Sequence, residues 1–193
     1  MSERKGAAAM RFLQLAAKRQ SDRGYLERPV EREKLERCLE AARLAPSASN
    51  AQPWHFVVVD DPEVRSRLER ETHGPFGAFN RFTRRVPVFA ALVVEPGKAV
   101  TRLGGWLQGR NYGLIDAGIA AEHFCLQAAE QGLGTCMLGI FNERAVRRLL
   151  GVPRGRRVAL LIAVGYPEAK QTRPKRRKSL EQIRSYNRYG KRP

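Results

Sequence analysis

The chain has 193 residues and lacks what several large function classes require. No stretch approaches the roughly 18 uninterrupted apolar residues of a membrane-spanning helix. The N-terminal region is studded with Arg4, Lys5, Arg11, Lys18 and Arg19. With no unbroken apolar core or cleavage site, it argues against export and for a cytoplasmic protein. Cysteine is scarce: Cys38, Cys125 and Cys136 are an odd count without CxxC, which excludes a disulfide framework and suits a reduced compartment. His55, His73 and His123 fall at no ligand spacing, so no metal site is expected. Neither GxGxxG after a strand nor GxxxxGK[ST] occurs, and so neither a dinucleotide fold nor a P-loop is supported. No GxSxG is present, and no Ser or Cys is paired locally with a His and an acid, as nucleophilic catalysis would need. Acidic side chains are also few, 19 against 36 Lys and Arg, for a formal charge of +17.

What is there suits one packed domain over 1–193, with a basic C-terminal extension at about 170–193. The hydrophobic fraction of 42% is that of a globular protein. The arginines are spread along the chain and often alternate with Glu, as on a solvated surface.

Apolar periodicity predicts helices over 7–20, 31–44, 61–71, 111–131 and 142–150. Leu35, Cys38, Leu39 and Ala42 mark one buried face. In the longest helix Leu114, Ile115, Ala117, Gly118, Ala121, Cys125 and Ala128 are expected to pack inward. β-Branched runs predict strands at 55–59, 86–94 and 158–164, with a shorter extended piece at 135–140. Residues 73–85 read as irregular. Ser179 and Gln182 form a capping-box pattern opening a short last helix. Strands separated by helices describe an α+β or α/β sandwich around one sheet.

Three polar segments stand out. Arg19-Gln20-Ser21-Asp22-Arg23 puts two guanidinium groups, a hydroxyl and exposed N–H groups within reach of a phosphate. The Pro-bounded loop 45–54 (Ala-Pro-Ser-Ala-Ser-Asn-Ala-Gln-Pro-Trp) offers the donors and acceptors that suit the rim of a heteroaromatic ring. The glycines of 132–139 allow a ligand close to the backbone, though they would also simply end a helix. Lys175-Arg176-Arg177-Lys178 adds cations after Gly165-Tyr166-Pro167. His123 and Asp116, inside the longest helix, read as structural groups rather than acid–base catalysts. That shortage of acid–base machinery points to a cofactor that carries the chemistry.

These pieces, in order, resemble the FMN-dependent nitroreductase family from Arg19 to about Asn187. The matching elements are Arg-x-Ser-x-Arg, Ala-Pro-Ser-x-x-Asn-x-Gln-Pro-Trp, Asp-Ala-Gly-Ile-Ala-Ala-Glu-His with Gly-Leu-Gly-Thr-Cys, and Gly-Tyr-Pro with Arg-Lys-x-Leu-Glu-Gln-Ile. The resemblance implies an α+β fold, a three-layer α/β/α sandwich with a mainly antiparallel central sheet. It also implies an intertwined homodimer with FMN in clefts between the subunits. Arg19, Gln20, Ser21 and Arg23 would hold the phosphate and flavin edge from one subunit. Pro46, Ser47, Ser49, Asn50 and Gln52 would reach FMN from the other. Leu138 and Gly139 would lie near the reactive flavin nitrogen, and Lys175 and Arg177 would return to the phosphate. Gln20 stands where relatives often carry a basic residue or His, and Met137-Leu138 departs from the usual Trp-Ile or acidic residue.

The activity implied is ping-pong hydride transfer from NAD(P)H through FMN to a nitroaromatic, quinone or similar acceptor, with no catalytic side chain. Trp106 is a candidate wall of the acceptor pocket, and the basic charge would favour NADPH over NADH. Two other readings compete. One is a nucleic-acid or anionic-surface binder acting through 170–178 and 184–192, against which no aromatic stacking platform or binding motif is found. The other is a flavin-binding protein without turnover.

Overall fold

The computed structural model describes residues 12–73, 79–97, 107, 109–169 and 171–190. Trp106, the candidate wall of the acceptor pocket, lies outside the described residues.

Helix α1, Phe12–Lys18, is followed by α2, Arg32–Arg43, which buries Leu35, Cys38 and Ala42 and ends at Leu44. It stops there because the residue before Pro46 is pushed out of the helical region. Strand β1, Trp54–Val59, leads to α3, Pro62–Glu71. The Asp61 side chain accepts from the N–H groups of Glu63 and Val64, and Pro62 occupies a first-turn position that needs no N–H. A 3-10 turn, Arg81–Arg85, precedes β2, Val88–Val94, within the stretch read as irregular. Strand β2 begins later than the apolar run because Pro87 has no N–H to give the sheet.

Helix α4, Tyr112–Glu130, is capped by Asn111, whose side chain accepts from Leu114 N–H. Strand β3, Gly134–Leu138, is followed by α5, Glu143–Leu149, capped by Asn142. Strand β4, Arg157–Gly165, and a short α6, Leu180–Ile183, complete the order. The expected box at α6 is present, with Ser179 N–H donating to Gln182 Oε1 at 3.0 Å.

The sheet runs β1-β2-β4-β3, antiparallel throughout. Alternation of side chains across the pleat sorts the core into two layers. Val88, Ala90, Leu92, Ile162 and Val164 pack with Leu35, Cys38, Phe124 and Cys125 of α2 and α4. Phe89, Ala91, Val93, Leu161 and Ala163 pack with Leu68 of α3 and Val146 of α5. The result is the three-layer α/β/α sandwich expected.

Part of the α4 expectation needs correction. Ala117, Ala121, Cys125 and Ala128 are buried, but Leu114 and Ile115 are 43% and 53% exposed in the single chain, and Gly118 is exposed. The buried stripe instead takes in Ala120, Phe124 and Ala129, because a helix lying on a sheet buries only the face turned to it. No helix among the described residues is long and apolar enough to cross a membrane.

Phe124 stacks on Phe56 with ring centroids 5.7 Å apart, tying α4 to the sheet. Phe124→Ala is expected to cost about 3–5 kcal/mol. Urea unfolding should show a lower midpoint with an unchanged slope.

Candidate functional site

Residues 19–26 leave α1 and lie along the edge of the sheet. Ser21 forms a parallel bridge with Thr135 of β3, and Asp22 N–H donates to Thr135 O at 2.8 Å. Asp22 lies directly over Gly134, where an added Cβ would come within 2.7 Å of its carboxylate. Gly134 therefore permits a close approach rather than merely following a helix stop. Burial raises the Asp22 carboxyl above its ordinary pKa; Gln20 Nε2, donating to Oδ1 at 2.9 Å, and nearby Arg173 oppose the rise. From α4, Glu122 Oε1 accepts from Arg19 Nε at 3.0 Å.

The chain leaving β4 returns along the same segment. Leu26 N–H donates to Tyr166 O at 2.9 Å, Tyr25 bridges Pro167, and Glu168 N–H donates to Gly24 O at 3.0 Å. Tyr166 is itself braced against α2, donating to Glu31 Oε2 and accepting from Lys34 Nζ at 2.9 Å. This path brings residues 171–177 back onto 19–21. Arg173 donates from N and Nε to Gln20 Oε1 at 3.0 and 3.3 Å, and from Nη2 to Ser21 O. Lys175 Nζ donates to Arg19 O. Partial burial and the charges of Arg19 and Arg177 push the Lys175 ammonium below its ordinary pKa.

Arg19, Gln20, Ser21 and Lys175 are thus gathered as the sequence predicted, with Arg177 within electrostatic range. Arg23 is exposed and acts on the buried Cys136 thiol one strand position past Thr135. Arg173 was not singled out from sequence, although it stands two residues before Lys175. Beneath the cluster is a cavity of about 80 Å³ lined by Arg19, Gln20, Asp22, Thr135 and Thr172, among others.

The loop 45–54 is held in a strained shape. Ser49, Asn50 and Gln52 have φ of 51°, 50° and 48°, each of which disfavours an L side chain. The bonds that hold it are local: Gln52 N–H donates to Ser47 Oγ at 2.9 Å, and Gln52 Nε2 donates to Asn50 Oδ1 at 2.9 Å. Ala48 N–H donates to both carboxylate oxygens of Asp116, each at 3.2 Å. Asp116 is only 3% exposed and is a structural group, though its partner is not local, lying 68 residues away in the chain. Pro46, Ser49, Asn50 and Gln52 are left exposed. Asp116 and Glu122 are six residues apart on α4, about 9 Å along its axis, so one helix supports both the loop and the cations.

At the other end of β3, Leu138 is buried among the side chains facing α3 and α5, and Gly139 is exposed. A ligand there would meet Gly139 and backbone rather than the Leu138 side chain. His123 is structural, its Nδ1 lying 2.9 Å from Ile119 O. The thiols are buried and free, and burial pushes Cys38 and Cys125 up to about 12, which leaves them unreactive. On the C-terminal arm Leu180, Ile183, Tyr186 and Tyr189 are all exposed, and the arm curves around a concavity of about 830 Å³.

A family model described as Nitroreductase family matches residues 16–166. An Archaeoglobus fulgidus protein with the provisional name NADH dehydrogenase/NAD(P)H nitroreductase is 33% identical over 163 residues, covering 81% of this chain and 85% of that protein. An NADH dehydrogenase of Thermus thermophilus is 30% identical over 200 residues, covering 87% of this chain and 92% of its own. The solved structure of an FMN-dependent nitroreductase from Clostridium difficile superposes with a TM-score of 0.74 at 27% identity, covering 92% of this chain and 100% of that one.

Two outcomes are expected. Asp116→Ala leaves the Ala48 donor unpaired under a strained loop and should destabilise the protein by about 1–3 kcal/mol in urea unfolding. Asp22 has a raised folded pKa, so its ionised form opposes folding at neutral pH and the opposition is relieved on acidification. Wild type should therefore gain stability relative to Asp22→Asn as pH falls through that raised pKa, with the gain complete below the ordinary value of 3.8. Paired urea titrations between neutral and acidic pH read the difference directly.

Proposed function

The chain belongs to the Nitroreductase family, and from that premise we propose that it is an FMN-dependent oxidoreductase working as a homodimer. It would take hydride from NAD(P)H and reduce a small conjugated acceptor such as a nitroaromatic or a quinone. The observation that carries this reading is the meeting of Arg19, Arg173 and Lys175 at residues 19–21, with Arg177 nearby. Arg173 and Lys175 are held there by neutral oxygens, so their charge stays available to an anion. A phosphate monoester fits that donor set.

When bound, FMN supplies two-electron hydride chemistry in a ping-pong cycle, so the hydride step asks no acid–base pair of the chain. The chain's own contribution is binding, orientation and electrostatics. Arg19, Ser21, Lys175 and Arg177 would hold the phosphate, with Gln20 and Arg23 at its margin. Gly139 would offer its N–H to the ring near the end of β3. Pro46, Ser47, Ser49, Asn50 and Gln52 would form the polar rim of the partner's site. Their strained conformation is set before any ligand arrives, which lowers the ordering cost of binding. Lys175 would also stabilise negative charge developing on the reduced ring.

The homodimer reading is supported by apolar side chains that the single chain leaves uncovered. Leu114 and Ile115 on α4, and Leu180, Ile183 and Tyr186 on the arm, are where a second copy would bury surface. Nucleic-acid binding is less well supported, because Arg173 and Lys175 turn inward onto 19–21 instead of forming an open basic stripe.

The test is the visible spectrum of the purified protein, followed anaerobically on adding NADPH and then NADH. Flavin bands that bleach with either donor are expected. A colourless protein that takes up no FMN would refute the proposal, and bands that stay oxidised with both donors would refute turnover with NAD(P)H.

A further inference from the structure

Arg173 is bound in a way that anchoring the arm alone does not require. Its N and Nε donate to Gln20 Oε1 and its Nη2 donates to Ser21 O, while it makes no ion pair among the described residues. Asp22 is close enough to act on it electrostatically, but the described hydrogen bond to that carboxylate comes from Gln20. A guanidinium carries five N–H donors in a rigid fork, so several remain for a ligand. The cations Arg19, Arg173, Lys175 and Arg177, with Lys18 and Arg23 at the margin, outnumber the carboxylates Glu122 and Asp22 and leave the region positive. That excess suits a phosphate monoester, which carries close to two negative charges at neutral pH.

Gln20 determines where Arg173 sits. The Asp22 carboxylate is an acceptor only, so the Gln20 amide must turn its Nε2 toward it and present Oε1 outward. A Lys or Arg at position 20 could donate to Asp22 but could not accept from Arg173. Gln20 thus exchanges its own lack of charge for the positioning of a second cation from the far end of the chain.

Resting on the flavin reading above, we infer that Arg173 is a phosphate-binding residue oriented by Gln20 and Asp22, and that it makes the site select phosphorylated over unphosphorylated flavin. The experiment titrates the full-length chain, freed of flavin, with FMN and with riboflavin, following flavin fluorescence. In Arg173→Gln the FMN dissociation constant should rise roughly tenfold or more, while that for riboflavin stays within about twofold. Arg173→Lys should recover part of the FMN affinity. Gln20→Leu should lower the FMN preference in wild type but add little in the Arg173→Gln background, as coupled residues do. Equal losses for both flavins would make Arg173 a purely structural anchor and overturn the inference, as would no change for either. Wild type that binds neither flavin would instead overturn the flavin reading itself, before any substitution is compared.

Discussion

The hydrogen bond from Asp22 N–H to the Thr135 carbonyl places the segment after α1 against the edge of β3, and the rest of the site is built on that placement. It is possible because Gly134 has no side chain where the Asp22 carboxylate packs. With 21–26 docked, the chain leaving β4 finds a second partner in Gly24 and Leu26, and its continuation is steered back toward residues 19–21. Two stretches about 150 residues apart then share one small region of surface. A carboxylate is partly desolvated in the process, an unfavourable term that the backbone bonds and the Gln20 amide offset.

The same pattern recurs at the loop 46–52. Left-handed backbone at Ser49, Asn50 and Gln52 is unfavourable by itself, and it persists because Asp116 and Ser47 accept from the loop's N–H groups. Both features store unfavourable free energy in the chain and hold polar groups ready in position. Like charges gathered at Arg19, Lys175 and Arg177 are a third instance, offset only in part by Glu122. A protein that relies on a cofactor for its chemistry needs such prior arrangement more than it needs titrating side chains.

Much of the fold was legible in particular residues. Asp61, Asn111 and Asn142 mark helix starts because their side chains accept from otherwise unpaired N–H groups, and at the last helix the Gln182 side chain accepts from Ser179 N–H, all strictly local effects. The strands were legible because β2 and β4 are covered on both faces and so appear as unbroken apolar runs. Leu114 and Ile115 were expected inside because they are apolar, but apolar character alone does not say which face of a helix the sheet will cover. Arg19, Gln20, Ser21 and Lys175 stand out through their motifs, and the structure brings them together. Arg173 carried no such signal: an arginine in a basic run looks like its neighbours until its hydrogen-bond partners are known.

The sequence alone determined the local grammar of this protein: which stretches are helix or strand, where they begin, and which polar residues are clustered too densely for ordinary turns. Those properties depend on neighbours a few residues apart, through capping, backbone preference and the pleat. Only the tertiary structure decided that Gln20 would face Arg173, that Asp22 would sit on Gly134, and that one face of α4 would remain uncovered. Such contacts join residues far apart in the chain, and their energy depends on sub-ångström geometry and burial that no local pattern encodes.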